Sequence, residues 1–211
     1  MMFFFKQAFL NNLGKVIFSF GLIFFGLFTM EEAVARLREN EQFTGWLLSL
    51  QSTWKGALTG AVVTLVVQSS SATVGMVIGL ASQNLITLAA GIAVMLGAEL
   101  GTCADTLLAS IGRSRAAIRT GLFHLLFSIS TILVGLVFLP YFTQLVVIIS
   151  KNASASQTIA NAHMLFNGLG VLIMVPLLPV FDKLLHRLAP DKKVTAATQG
   201  LEPAAVHTPV S

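Results

Sequence analysis

Residues 68–73 read Gln-Ser-Ser-Ser-Ala-Thr, five hydrogen-bonding side chains in six positions, in the middle of a run, Gly56–Ala98, that holds no charged residue. Most of that run is Val, Leu, Ala, Ile, Gly or Met. An uncharged stretch of this length is suited to lipid, where an unpaired hydroxyl or amide is costly. The polar cluster therefore marks either a seam between two packed helices or a place where the chain turns at membrane depth.

Composition decides the surrounding class. Hydrophobic residues make up 55% of the 211 positions and charged residues 10%, with a mean hydropathy of +0.82; soluble domains carry about 25% charged residues. The runs Val16–Met30, Gly56–Ala98, Gly121–Pro140 and Ala160–Phe181 lack Asp, Glu, Lys and Arg, and a membrane span needs roughly 20 apolar residues. Val16–Met30 is short and reaches the interfaces through its flanking Lys15 and Glu31. These features predict an all-α, polytopic integral membrane protein. A soluble fold would leave too few polar residues to cover such a core. The opening "MMFFFKQAF" lacks the basic segment and small-residue cleavage site of a secretory signal. Cys103 is the only cysteine, so no intrachain disulfide forms. The net charge of +4 does not point to nucleic acid, because the basic residues gather at the ends of the apolar runs.

Those basic residues orient the chain. Arg113, Arg115 and Arg119 form one loop, and Lys183, His186, Arg187, Lys192 and Lys193 follow the last apolar run. The positive-inside rule places both on the cytoplasmic side, and Lys6 and Lys15 put the start there too. The mixed-charge stretch Glu31–Gln42 then reads as an outer interfacial helix, Tyr141–Gln157 as extracytoplasmic or interfacial, and Trp46 and Trp54 as interface anchors. Two full crossings between Gly56 and Ile111 would put Arg113 outside. One re-entrant hairpin, Gly56–Val67 and Ala72–Leu80 around the polar tip, followed by one crossing over Thr87–Ile111, restores the parity. The expected organisation is a cytoplasmic or interfacial segment over 1–15, a membrane-embedded unit over 16–188 and a disordered cytoplasmic tail over 189–211. The expected location is a bacterial plasma (inner) membrane.

The crossing after the hairpin carries its own anomaly, Gly97-Ala98-Glu99-Leu100-Gly101-Thr102, with Asp105 beyond it. Two glycines around a carboxylate predict a broken transmembrane helix at this point. Two related elements follow, His124-Leu125-Leu126-Phe127-Ser128 and His163-Met164-Leu165-Phe166-Asn167, which are expected to dock in the same way on the broken helices.

The chemistry follows from these interruptions. A helix starting near Ser70 turns unpaired backbone N–H groups and the positive end of its dipole toward the membrane interior. The hydroxyls of Ser69, Ser70, Ser71 and Thr73 donate and accept beside it. That combination suits an oxyanion. Carbonyls freed at the two interruptions suit a small hard cation such as Na+, the layout of secondary transporters with discontinuous helices. No Lys or Arg lies in the core, so the anion is held by dipoles, hydroxyls and a co-bound cation. Thr59, Thr64 and Ser110 read as self-satisfied span residues, Gly56 and Gly60 as a close helix approach, and His124 and His163 as structural. Glu99 fits both a neutral hydrogen-bonded carboxyl and a cation ligand.

Together, Gln-Ser-Ser-Ser-Ala-Thr, Gly-Ala-Glu-Leu-Gly-Thr, His-Leu-Leu-Phe-Ser and His-Met-Leu-Phe-Asn resemble the type II sodium–phosphate cotransporter family over roughly Gly21 to Leu188. That family is built from two inverted repeats, each with a Gln-Ser-Ser-Ser hairpin and a Gly-rich break. The resemblance implies that Gln68, Ser69, Ser70 and Ser71 line the substrate and Na+ sites. It implies that Gly97, Gly101 and Thr102 form the break beside them, and that Asn167 closes the His-x-x-Phe-Asn element. Na+ ligands are then expected at Gln68, Ser71, Glu99 and Thr102. The sequence departs from the family at Glu99, where an amide is usual, and at Ser128, where the first His element ends without Asn. It also carries one Gln-Ser-Ser-Ser hairpin, and no cytoplasmic PhoU-like domain is found.

The expectation is sodium-coupled movement of inorganic phosphate by one half of an inverted-repeat transporter. The site is completed by a second copy, by a separate half, or by more of the same chain. The Lys/Arg bias weighs against insertion in both orientations, and so against an antiparallel homodimer. One alternative is proton-coupled transport of another small anion through Glu99; another is a membrane assembly protein that moves no solute. No enzymatic activity and no cofactor beyond the coupling Na+ are expected, for no nucleophile–base pair, metal cluster or Walker-type loop is present.

Overall fold

A computed structural model describes residues 2–37 and 39–191, which form helices and no strand. In chain order these are α1 (Met2–Leu37), α2 (Glu41–Ser49), α3 (Thr53–Val67), α4 (Ser70–Ser82), α5 (Leu88–Ser110), α6 (Arg115–Val137), α7 (Leu139–Ser150), α8 (Ala155–Met174), a 3₁₀ turn (Val175–Leu177) and α9 (Leu178–Leu188). Among the described residues, four stretches are long and apolar enough to cross a membrane: Gln7–Leu37, Leu88–Ser110, Arg115–Val137 and Ala155–Leu188. The chain is a multi-pass integral membrane protein.

Side-chain oxygens set most helix starts. Asn40, Ser69, Thr87, Ser114 and Ser154 each accept a hydrogen bond from a first-turn backbone N–H of the helix that follows. Such caps satisfy donors that have no partner inside a helix. α5 forms the centre of the bundle. Ile92, Ala93, Met95, Leu96, Ala98 and Cys103 on it are fully buried, and α3, α4, α6, α7 and α8 all pack against it.

α3 and α5 run parallel and in very close contact. A methyl group on Gly60 would meet the Val94 carbonyl, one on Gly97 the Ala57 carbonyl, and one on Gly101 the Ala61 carbonyl and the Thr64 side chain. Matched small residues on two helices let the backbones approach in this way. Gly56, against Leu50 and Ala93, extends the same seam, as the Gly56/Gly60 spacing leads one to expect.

This seam corrects one expectation. α5 continues as α-helix from Leu88 to Ser110, through Gly97, Glu99, Gly101 and Thr102, with no break. The two glycines serve the crossing with α3 rather than an interruption of their own helix.

α4 returns antiparallel to α3 and lies between α1, α5 and α8. Its second half is fixed by Ser82 Oγ donating to Glu31 Oε1 at 2.6 Å and Ser156 Oγ donating to the Ile78 carbonyl at 3.0 Å. Thr87 Oγ1 donates to Gln51 Oε1 at 2.9 Å, so both ends of the α3–α4 pair sit beside the start of α5. At 1.5 Å per residue, α3 and α4 span about 22 and 20 Å, short of the roughly 30 Å of a bilayer core. Thr64, one turn before their shared tip, meets Gly101, about 20 Å along the roughly 35 Å of α5, and the tip lies beyond it.

Two further boundaries differ from the sequence reading. α1 carries on through Lys15 at one end and to Leu37 at the other, so Glu31–Leu37 continues the long helix and only Glu41 onward forms a separate one. Residues 141–150 continue the apolar helix α7, which packs back on α8 and α5. At the far end of the bundle Arg119 Nη1 donates to the Ala189 carbonyl at 3.1 Å and pairs with Asp191 at 2.8 Å. This contact brings the α5–α6 loop and the end of α9 together, so the two basic segments share one end, opposite the ends of the α3–α4 pair. Within the tail expected to be disordered, residues 192–211 lie outside the described residues, whereas Ala189 is buried.

Candidate functional site

The tip between α3 and α4 is built by two residues in opposite backbone states. Gln68 ends α3 in the left-handed region at φ 58°, ψ 30°, its N–H donating to the Thr64 carbonyl at 2.6 Å. That conformation costs a non-glycine residue roughly 1–2 kcal/mol. Ser69 is extended and caps α4, its Oγ accepting from the Ala72 N–H at 3.2 Å. Thr73 Oγ1 donates to the Ser69 carbonyl at 3.2 Å and accepts from Thr64 Oγ1 at 2.8 Å. Thr64 and Thr73 are 0% and 2% exposed, so this hydroxyl chain fastens the two helices from inside. Thr73, a candidate ligand residue by sequence, has both its bonds within the protein.

The rest of the tip is free. Among the described residues the side chains of Gln68, Ser70 and Ser71 make no hydrogen bond, and Gln68 and Ser71 are exposed. Of the first-turn N–H groups of α4, that of Ala72 is taken by Ser69 Oγ, and those of Ser70 and Ser71 have no partner among the described residues.

A second polar group lies across the α5–α8 seam. His163 Nε2 and Glu99 Oε1 are 2.8 Å apart, and Asn167 Nδ2 donates to the same Oε1 at 3.4 Å and to the His163 carbonyl at 3.0 Å. The side chains of Glu99 and His163 are 18% and 27% exposed. With Glu99 ionised, His163 donates its Nε2–H, and Oε1 receives two donors while Oε2 receives none among the described residues.

The register of α4 relates the two groups. Val77 and Ile159 both meet Gly91, and Val74 shares a core with Met95 and Ala162. The start of α4, with Ser70 and Ser71, therefore points toward the part of the bundle where α5 carries Glu99 and α8 carries Asn167. The site residues expected from the sequence therefore fall into three sets. Gln68, Ser70, Ser71, Glu99 and Asn167 have open hydrogen-bonding capacity. Ser69 and Thr73 are used in building the tip. Gly97 and Gly101 face α3, and Thr102 Oγ1 bonds back to the Ala98 carbonyl at 3.4 Å.

His163 is the residue that sequence reasoning assigned to structure and that the fold places in the site. The available signal was its spacing, one helical turn before Asn167 on the same face. His124 acts differently: its Nδ1 meets Thr106 Oγ1 at 3.0 Å, further along α5. α6 runs against α5 and α8 runs with it, so the two His elements dock differently, not alike as expected. A groove of about 440 Å³ lined by Val134, Phe138, Phe142, Phe166 and Met174 is almost wholly apolar and includes none of the candidate residues.

Residues 28–174 match the family model described as Na+/Pi-cotransporter. The chain is 29% identical over 184 residues to the "Uncharacterized protein YqeW" of Bacillus subtilis, covering 87% of this chain and 59% of that one. It is 28% identical over 210 residues to the "Putative inorganic phosphate export protein YjbB" of Salmonella typhimurium, covering 97% of this chain and 38% of the relative. The chain thus spans less than two thirds of the length of either relative. No solved structure matches it.

Proposed function

The chain belongs to the Na+/Pi-cotransporter family, and from that premise we propose that it moves inorganic phosphate across the membrane as one half of a secondary transporter coupled to Na+. α3 and α4 form a re-entrant hairpin that enters and leaves on the outer side. Its tip holds the anion near the midplane, on the first-turn N–H groups of α4 and the hydroxyls of Ser70 and Ser71. The cation sits beside it, among Gln68, Ser71, Glu99 and Thr102. A second half, related by an inverted repeat, closes the face on which Gln68 and Ser71 are exposed. The protein is not an enzyme in this reading, and it lies in a bacterial plasma membrane with its two basic segments in the cytoplasm.

One observation carries the reading. A tip with unused donors begins a helix, α4, that packs on the same two helices, α5 and α8, that carry a carboxylate, an imidazole and an amide. The relative named for phosphate export supplies the substrate and leaves the direction of flux open to either sense.

The test uses membrane vesicles from cells that carry the chain with its native partners, compared with vesicles from cells lacking it. Chain-dependent flux of radiolabelled phosphate is expected to follow the Na+ gradient and to fall at least tenfold in Ser70→Ala. Flux indifferent to Na+ would remove the coupling claim while leaving phosphate in place.

A proton as the coupling ion is the second reading, favoured by the 2.8 Å contact between His163 and Glu99. An imidazole on a carboxylate is a proton-holding arrangement, and the family has an amide at that position. Flux driven by a pH gradient without Na+, and lost in Glu99→Gln, would select it.

A further inference from the structure

We propose that Glu99 is the specificity-determining residue of this site: its Oε2 accepts a hydrogen bond from the hydroxyl of a protonated oxyanion, so that hydrogenphosphate-type anions enter and fully deprotonated tetrahedral anions do not. This inference rests on the phosphate site proposed above and adds how that site tells one anion from another.

The other groups around the tip can all donate, and none of them is a charged acceptor. The N–H groups at the start of α4 donate, the Ser70 and Ser71 hydroxyls and the Gln68 amide have donors to give, and His163 and Asn167 already direct theirs at Glu99 Oε1. Glu99 brings a carboxylate to this group. A carboxylate has about four lone-pair positions and, ionised, no hydrogen to give. His163 and Asn167 fix its orientation through Oε1, which leaves Oε2 as an acceptor of defined direction within a donor-rich site.

An acceptor beside an anion has one favourable use. It repels any anion that offers only oxygens, and it binds one that offers an O–H. At neutral pH phosphate and arsenate carry a proton; sulfate and monofluorophosphate, similar in size and shape, carry none. A site built to hydrogen-bond a ligand hydroxyl rejects the analogue lacking it far more strongly than a site that differs only in size. The amide usual in the family at this position donates as well as accepts and imposes no such filter. A cation on another lone pair of the same carboxylate is compatible with this use, so the Na+ assignment is not displaced.

The experiment is competition against chain-dependent flux of labelled phosphate at neutral pH, with the native membrane assembly intact. Unlabelled phosphate and arsenate are expected to compete at similar concentrations, and sulfate and monofluorophosphate at least roughly 100-fold more weakly. In Glu99→Gln, sulfate and monofluorophosphate are expected to gain at least tenfold relative to phosphate. Monofluorophosphate competing with the unaltered protein within tenfold of phosphate would overturn the proposal, and that arm needs no variant to fold. A Glu99→Gln protein that still moves phosphate, has a changed Na+ requirement and excludes sulfate as before would also overturn it, leaving Glu99 a cation ligand only. Absence of any chain-dependent phosphate flux would instead defeat the transport reading on which it stands.

Discussion

At the scale of single residues, position and energy separate function from framework. Gln68 occupies a left-handed turn that glycine would fill with less strain. Gln68→Gly is therefore expected to raise stability by roughly 0.5–1 kcal/mol, the relief of the turn less the entropy of glycine, while phosphate flux falls at least tenfold. Thermal unfolding in detergent with parallel flux measurements checks both signs; a stable and fully active variant would make Gln68 a framework residue. The Thr64–Thr73 pair is the opposite case. Thr73→Val leaves the buried Thr64 hydroxyl without its acceptor, and within a membrane such a loss amounts to about 0.5–2 kcal/mol. The double variant Thr64→Val/Thr73→Val is expected to cost less than the sum of the singles, because it leaves no orphaned hydroxyl. The polar tip was legible in the sequence because five hydrogen-bonding side chains in an uncharged run demand a reason. The division of labour within it was not, since serine and threonine look alike in sequence whether they cap a helix, bridge two helices or face a ligand. His163 was missed for the same reason: a lone histidine in an apolar run gives no hint of which neighbour it meets.

At the scale of the helix, the pair Gly97 and Gly101 shows where sequence reasoning takes the wrong branch. Two glycines four apart weaken a helix and also clear a stripe for a neighbour, and Glu99 between them favoured the first reading. The deciding partner was elsewhere in the chain. Gly56 and Gly60 on α3 have the same spacing, and the two stripes close on each other with backbone carbonyls at the contact. Gly97→Ala would press its methyl into the Ala57 carbonyl, which cannot rotate away, so the crossing must widen. Overpacking of this kind costs typically 1–3 kcal/mol, and the tip would be displaced with α3. Gly21→Ala, in open space on α1, is expected to leave stability unchanged or slightly raised. Comparing the unfolding temperatures of the two variants tests the seam. Amide hydrogen exchange tests the helix itself: protection is expected to run continuously from Ile92 to Cys103, and rapid exchange confined to Ala98–Thr102 would restore the break.

At the scale of the whole molecule, the distribution of charge and the half-length hairpin lead to one arrangement. The basic residues of the α5–α6 loop and of α9 meet at one end through Arg119, while Lys55, Lys151 and the mixed-charge stretch Glu31–Gln42 belong to the other. In the proposed arrangement, orientation by positive charge predicts one insertion, with the hairpin entering from outside. The shared end of the two basic segments was readable from the sequence because charge marks the ends of spans even where the spans are hard to delimit. In a Cys103→Ser background, which removes a buried thiol, Gln83→Cys and Asn152→Cys are expected to react with a membrane-impermeant maleimide added outside intact cells. Ser114→Cys is expected to react only once the inner face is exposed. Ser71→Cys, at a tip with α4 closed behind it on the outer side, should react from the inner face and be slowed by phosphate. Reaction of Asn152→Cys and Ser114→Cys from both faces, each in about equal halves, would mean that two copies insert in opposite senses and that the covering half is this chain itself. Strict one-sided reaction would rule out this chain as its own inverted partner, because copies in a single orientation cannot form the inverted pair proposed to cover Ser71.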